Sequence, residues 1–123
     1  MRILFLLVNY FNEDETCSFV ENQLLHQSVR NFEVVIVDNG SSDRNKLETI
    51  AAQYPGISLF GTGKNSGYIG GARYGLNKFL EAGNLIPDIV IISNTDIVFV
   101  DSHFTESLCS FCLLYTSPSP RDS

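Results

Sequence analysis

The run Val34-Val35-Ile36-Val37, followed at once by Asp38-Asn39-Gly40-Ser41-Ser42-Asp43, constrains the fold more than any other part of this 123-residue chain. Four consecutive β-branched residues leave no polar face to turn toward water. That is the pattern of a strand covered on both sides, as in a parallel sheet lying between helices. A carboxylate after such a strand falls at its carboxyl end, where open α/β sheets bind their ligands. The pattern returns at Ile89-Val90-Ile91-Ile92, followed by Ser93-Asn94-Thr95-Asp96. Two buried strands, each delivering an aspartate, predict one acidic site on the rim of a sheet.

Further strand signals lie at residues 2–8 and 57–60, beside 33–38 and 89–93, with a short additional one at 97–100. Helical segments separate them. Asn12 is placed to cap a helix running to about Ser28, with Glu15 completing a capping box and Val20, Leu24 and Leu25 forming its apolar stripe. A second helix is expected to begin after Ser42 and run to about Tyr54, where Pro55-Gly56 stops it. A third is expected from Gly70 to Ala82, with Ala72, Leu76, Phe79 and Leu80 inward and Gly83 as its stop. Strands and helices alternating at this spacing predict an α/β fold, a mostly parallel sheet flanked by helices.

Composition excludes several classes. A net charge of −6 lacks the basic footprint of a nucleic-acid binder, and 44% apolar residues can supply a core. Met1 to Val8 is too short an apolar run to span a bilayer, and Asn9-Tyr10-Phe11-Asn12-Glu13 follows where a secretory signal would carry its cleavage site. Three cysteines do not make a disulfide framework. Cys109-Ser110-Phe111-Cys112 has half-zinc-site spacing but no second ligand pair, so a reducing compartment is the default. After Leu108 the periodicity stops and the chain closes on Thr116-Ser117-Pro118-Ser119-Pro120. Residues 109–123 are therefore set apart from the domain at 1–108 as a disordered or non-native-looking tail.

Three blocks carry chemistry. A carboxylate at a strand end can accept hydrogen bonds from a base N–H or a ribose hydroxyl, and Asp38 is placed to do so; Asp38-Asn39-Gly40 also reads as a plain turn. Asn65-Ser66-Gly67-Tyr68-Ile69-Gly70-Gly71-Ala72-Arg73 is glycine-rich ahead of a helix, whose N-terminus offers N–H donors to phosphate. Gly67 and Gly70 are read as constrained by backbone geometry or packing, while Asn65 and Arg73 are within reach of the same ligand. Gly61-Thr62-Gly63-Lys64-Asn65-Ser66-Gly67 misses the dinucleotide fingerprint by one residue and follows the third strand rather than the first. A Walker A loop fails too, because Asn65 follows Gly63-Lys64.

These blocks, with Val8-Asn9-Tyr10 ahead of them and Asn94-Thr95-Asp96 behind, resemble in order and spacing the family 2 glycosyltransferases of the GT-A fold, rhamnosyltransferase-like members included, over about residues 1–108. The resemblance is to the N-terminal, donor-binding half of such an enzyme, incomplete at its C-terminus. It implies inverting transfer of a sugar from a nucleoside-diphosphate sugar, a UDP- or dTDP-sugar, to a glycan or lipid-linked acceptor in cell-surface polysaccharide synthesis. It implies an enzyme of the cytoplasm or of the inner face of the membrane, where peripheral association of the full-length protein is allowed. By this resemblance Asp38 contacts the nucleoside, Asn9 and Tyr10 line the base pocket, and Asn65, Gly67, Gly70, Arg73 and Asn94 attend the donor. Asn94-Thr95-Asp96 stands where the family has its DXD-type motif, with Asn first, so Asp96 is the expected ligand of a divalent cation, Mg²⁺ or Mn²⁺. His103 lies where some enzymes of this fold place a metal ligand, whereas His26 falls late on the first helix. The general base that inversion needs is expected beyond Asp96, and nothing there matches it. A chain of this extent is thus expected to bind nucleotide without transferring sugar; the alternatives are a noncatalytic nucleotide-binding fragment and a sugar-nucleotidyltransferase.

Overall fold

The computed structural model describes residues 2–27, 32–63 and 67–93. The apolar runs form four strands: β1 (Ile3–Tyr10), β2 (Phe32–Gly40), β3 (Ile57–Gly61) and β4 (Ile89–Ser93). All pair in parallel, in the order β3-β2-β1-β4. The chain therefore moves outward from β1 through β2 to β3, then crosses back to lay β4 on the other side of β1. The order reverses beside β1, which makes its carboxyl end a topological switch point, the usual ligand position in such sheets.

Helix α1 (Glu13–Phe19) runs on into a π-helical turn at Val20–Leu24, α2 spans Arg44–Gln53, and α3 spans Gly67–Glu81. Because successive strand side chains face opposite ways, β1 and β2 bury two cores. Ile3, Phe5, Leu7, Val34 and Ile36 pack with α1 and α2, while Leu4, Leu6, Val35 and Val37 pack with Ala72 and Phe79 of α3. The lack of alternation in the sequence is accounted for by this two-sided burial.

Several boundaries differ from those expected. The strand ending in Asp38 continues as extended chain through Asn39 and Gly40; Asn9 lies opposite Asp38 but Tyr10 lies opposite Gly40, so a bulge falls at Asn39. Positive φ falls instead at Phe11 (φ 54), Gly63, Gly67 and Gly83. Asn12 does precede α1, but the capping box does not form: its carboxamide oxygen accepts the Tyr10 N–H at 2.7 Å, and its amide donates to Glu15 at 3.4 Å. The first helix gives way to a turn after Leu24, short of Ser28, while Val20 and Leu24 are buried as the stripe predicted.

Helix α3 starts at Gly67, three residues before the expected Gly70. Gly83, at φ 91, closes it in the left-handed conformation that a non-glycine residue resists. Its close approach to the sheet is made by Gly71 and Gly75. A Cβ at Gly75 would collide with Val37, and one at Gly71 would sit 2.7 Å from the Asn39 amide and 3.0 Å from Val8. The signal at residues 97–100 and the tail at 109–123 lie outside the described residues.

Candidate nucleotide site at the carboxyl edge of the sheet

Asp38 is 6% exposed at the rim between β1, β2 and β3, and its carboxylate receives four donors. Oδ1 accepts the Gly40 N–H at 3.0 Å and the Asn9 amide at 3.4 Å. Oδ2 accepts the Ser41 hydroxyl at 2.9 Å and Arg44 Nη1 at 2.8 Å. An ionised carboxylate has about four lone-pair positions, so Asp38 is saturated from within the chain.

Asn9 is wholly buried. Its Oδ1 accepts the Thr16 hydroxyl at 2.8 Å, and its amide also donates to Gly40 O at 3.0 Å. It thereby ties α1 to the ends of β1 and β2. Tyr10, directly after it, is 53% exposed and meets Phe11 edge to face, with ring centroids 4.8 Å apart. Both rings lie against the Cα of Gly40, where a Cβ would stand 2.9 Å from Phe11 and 3.3 Å from Tyr10. Phe11 is a bulky residue held in the left-handed region, a form of strain that concentrates at ligand sites.

Glu13 completes the polar layer. Its Oε2 accepts the N–H groups of Ser42 (2.9 Å) and Asp43 (2.8 Å), the donors leading into α2. The first turn of α2 holds no acid and its N-cap residue, Asp43, makes no side-chain capping bond, so the Glu13 carboxylate adds negative charge where the helix dipole favours it. Oε1 is buried without a hydrogen-bond partner. Burial pushes the Glu13 carboxyl up, but the N–H groups of Asp43 and Ser42 and the Asn9 amide outweigh it and hold the group below its ordinary value.

On the other side of the rim, the Asn39 amide donates to Gly67 O at 3.0 Å and its oxygen accepts the Thr62 hydroxyl at 2.9 Å, which joins the ends of β2 and β3 to the start of α3. The sequence-predicted residues thus divide. Asn9, Tyr10 and Asp38 come together, Gly67 adjoins them through Asn39, and Gly70 is half-buried on α3. Arg73 is exposed on α3, and His26 is exposed after the π turn. Asn65, Asn94, Asp96 and His103 lie outside the described residues. Among the described residues no three His, Cys, Asp or Glu side chains gather to hold a metal ion, and Asp38, filled by N–H and O–H donors, is unsuited to one. No helix among them is long and apolar enough to cross a membrane.

Sequence reasoning missed Glu13, Thr16, Asn39 and Arg44. Arg44 did carry a signal. It opens α2, where the helix dipole disfavours a cation, so a nearby carboxylate partner was called for.

An open parallel sheet with a switch point beside β1 and a buried aspartate on its rim defines an α/β domain of the GT-A type. The sequence matches Glycosyl transferase family 2 over residues 6–107, and the chain belongs to that family. Sequence comparison with the curated proteins gives no significant match. Among solved structures, S. aureus TarS 1-349 superposes with a TM-score of 0.71 at 19% identity, covering 94% of this chain and 33% of that one. The same protein in complex with UDP-GlcNAc gives 0.70 at 20% identity, with 94% and 32% covered. The mannosyltransferase PcManGT from Pyrobaculum calidifontis, in complex with GDP-Man and Mn²⁺, gives 0.69 at 19% identity, with 95% and 33% covered. These likenesses establish the fold, and the chain spans about a third of the length of each structure.

Proposed function

We propose that the rim around Asp38 binds the nucleoside of a nucleoside-diphosphate sugar, and that the chain is the donor-binding part of an inverting glycosyltransferase. The observation that carries this reading is Asp38 itself: a buried carboxylate at the carboxyl edge, beside the switch point, flanked by an exposed aromatic pair. Family membership supplies the reaction class, and TarS and PcManGT, solved with UDP-GlcNAc and GDP-Man, support a sugar nucleotide as ligand. In this reading Tyr10 faces the base, Asn9 acts by orienting Asp38, and UDP- or dTDP-sugars are the donors. Asp96 is our candidate ligand for a divalent cation, Mg²⁺ or Mn²⁺, with Asn94 beside it in sequence. Such an ion would supply charge neutralisation on the departing diphosphate. The acceptor, a glycan or lipid-linked saccharide, and a cytoplasmic setting belong to the same proposal.

The test is titration calorimetry of UDP and dTDP against the chain in Mn²⁺ and in EDTA, for wild type and Asp38→Asn. A hydrogen bond to a charged group contributes about 1.5–3 kcal/mol, so the variant should bind at least about tenfold more weakly. Equal affinity in a folded Asp38→Asn variant would remove Asp38 from the site.

A further inference from the structure

We propose that Arg44 selects the base, admitting nucleosides whose base presents adjacent C=O and N–H groups and rejecting those that present an amino group beside a bare ring nitrogen. The inference rests on the donor-binding reading above and goes beyond it to a residue and a class of base. It starts from the saturation of Asp38. No base N–H can bond to this carboxylate unless one of its four donors leaves.

Two of those donors are local to the turn, the Gly40 N–H and the Ser41 hydroxyl, and the Asn9 amide is locked in the buried layer. Arg44 is the donor free to move, its side chain 41% exposed. It is also aimed at the rim. Its guanidinium lies over Gly61 at the end of β3, where a Cβ would stand 2.8 Å from Nη1 and 3.5 Å from Cζ. Gly61 is the residue paired with Asp38 across the sheet, so its missing side chain is the gap through which Arg44 reaches the carboxylate. Nε is held by Glu48 at 3.2 Å, and this second anchor keeps the guanidinium at the rim when Nη1 lets go.

A base N–H that replaces Nη1 on Asp38 Oδ2 therefore arrives beside a fork of N–H donors. Guanidinium has donors and no acceptor, and carboxylate has acceptors and no donor. The pair reads the sequence acceptor-then-donor. Its complement is a ring C=O next to a ring N–H, the edge shared by uracil, thymine and guanine. Adenine and cytosine present an exocyclic amino group next to an unprotonated ring nitrogen, which sets donor against donor and acceptor against acceptor. Mismatched buried polar groups of this kind are what make polar sites selective.

The experiment is equilibrium binding of UDP, dTDP, GDP, CDP and ADP to the full chain in Mn²⁺, for wild type, Arg44→Ala, Arg44→Lys and Gly61→Ala, with circular dichroism to confirm folding. Wild type should favour UDP, dTDP and GDP over CDP and ADP by about tenfold or more, what one charge-assisted hydrogen bond contributes. Arg44→Ala should lose that preference, Arg44→Lys should keep part of it, and Gly61→Ala, which displaces the guanidinium without removing it, should behave like Arg44→Ala. Unchanged discrimination in a folded Arg44→Ala or Gly61→Ala variant overturns the proposal while leaving the donor site standing. A uniform gain for all five nucleotides in Arg44→Ala also overturns it, making Arg44 a mere competitor for Asp38. No binding of any nucleotide by wild type rejects the donor-binding reading, and this inference with it.

Discussion

Replacing Thr16 by valine tests the hydrogen-bonded layer beneath the site without creating a cavity. Thr16 is wholly buried, and its hydroxyl donates to Asn9 Oδ1 at 2.8 Å while lying 3.1 Å from Asn12 O. Valine matches its shape. Asn12 O keeps the Thr16 backbone N–H at 3.0 Å, so the carbonyl is not orphaned. Asn9 Oδ1, on a side chain with no exposure, loses its one donor among the described residues. A buried acceptor left unpaired costs about 1–3 kcal/mol, and burying a methyl group in place of a hydroxyl returns up to about 0.8 kcal/mol. The net expectation is a loss of about 1–2 kcal/mol, or about 4–8 °C in Tm for a domain of this size. Urea and thermal denaturation of wild type, Thr16→Val, Thr16→Ser and the exposed control Thr49→Val measure it. Thr49→Val should stay within about 0.5 kcal/mol of wild type, and Thr16→Ser, which keeps the hydroxyl but deletes a buried methyl group, should lose about 0.5–1.5 kcal/mol without losing its coupling to Asn9. A double-mutant cycle with Asn9→Ala should return a coupling of about 1 kcal/mol or more. A Thr16→Val variant as stable as wild type, with no coupling to Asn9, would refute the reasoning.

One added methyl group should have opposite consequences at two glycines. Gly75→Ala drives a Cβ into the buried Val37 side chain and should destabilise by about 1–3 kcal/mol despite the better helix propensity of alanine, whereas Gly56→Ala, 3.8 Å from Phe32 O, should be neutral or gain up to about 1 kcal/mol in denaturant titrations. Phe11→Gly should relieve left-handed strain and raise stability by about 1 kcal/mol, while Phe11→Ala, which keeps a Cβ at φ 54, should not. Glu13 is held below its ordinary value of 4.5 when folded, so its contribution is present above that pH and is lost as acid protonates it through the lower folded value. Stability measured by urea titration between pH 5 and about pH 3 should fall for wild type, and Glu13→Gln should flatten that limb; parallel acid limbs would remove Glu13 as the group responsible.

The sheet was legible because its signal is local. Each of Val34–Val37 and Ile3–Leu7 is apolar regardless of face, and only two-sided burial tolerates that, so α/β class and parallel pairing followed together. Helix entry was less legible. Asn12 occupies the expected position, yet its side chain turns back to the Tyr10 N–H because Phe11, in left-handed conformation, reverses the chain there. No spacing rule encodes that reversal. Gly71 and Gly75 were invisible for a related reason: four residues apart, they mark one face of α3, but their meaning comes from Val37 and Asn39 on a strand thirty-odd residues earlier. Helix propensity argues against both glycines, and tertiary packing overrides it.

The place of Asp38 at the carboxyl edge of the sheet was readable, and its company was not. A strand followed by a carboxylate says where the group lies; it says nothing of how many donors already hold it. Those donors come from β1, the β2 turn and the first residue of α2, so the state of the carboxylate depends on tertiary placement. The charges around α2 nevertheless fit together once placed. Glu13 reaches from the start of α1 to the donors leading into α2, and Arg44, ill-suited to that helix end, reaches away from it to Asp38. Arg44 is misplaced for its own element and satisfied by another, while Glu13, well placed at the start of α1, also serves the donors ahead of α2. The result is a rim where the buried Asp38 carboxylate is neutralised by a partly exposed arginine; under the proposal above, exchange of that arginine lets the free protein bury Asp38 and still offer it to a ligand.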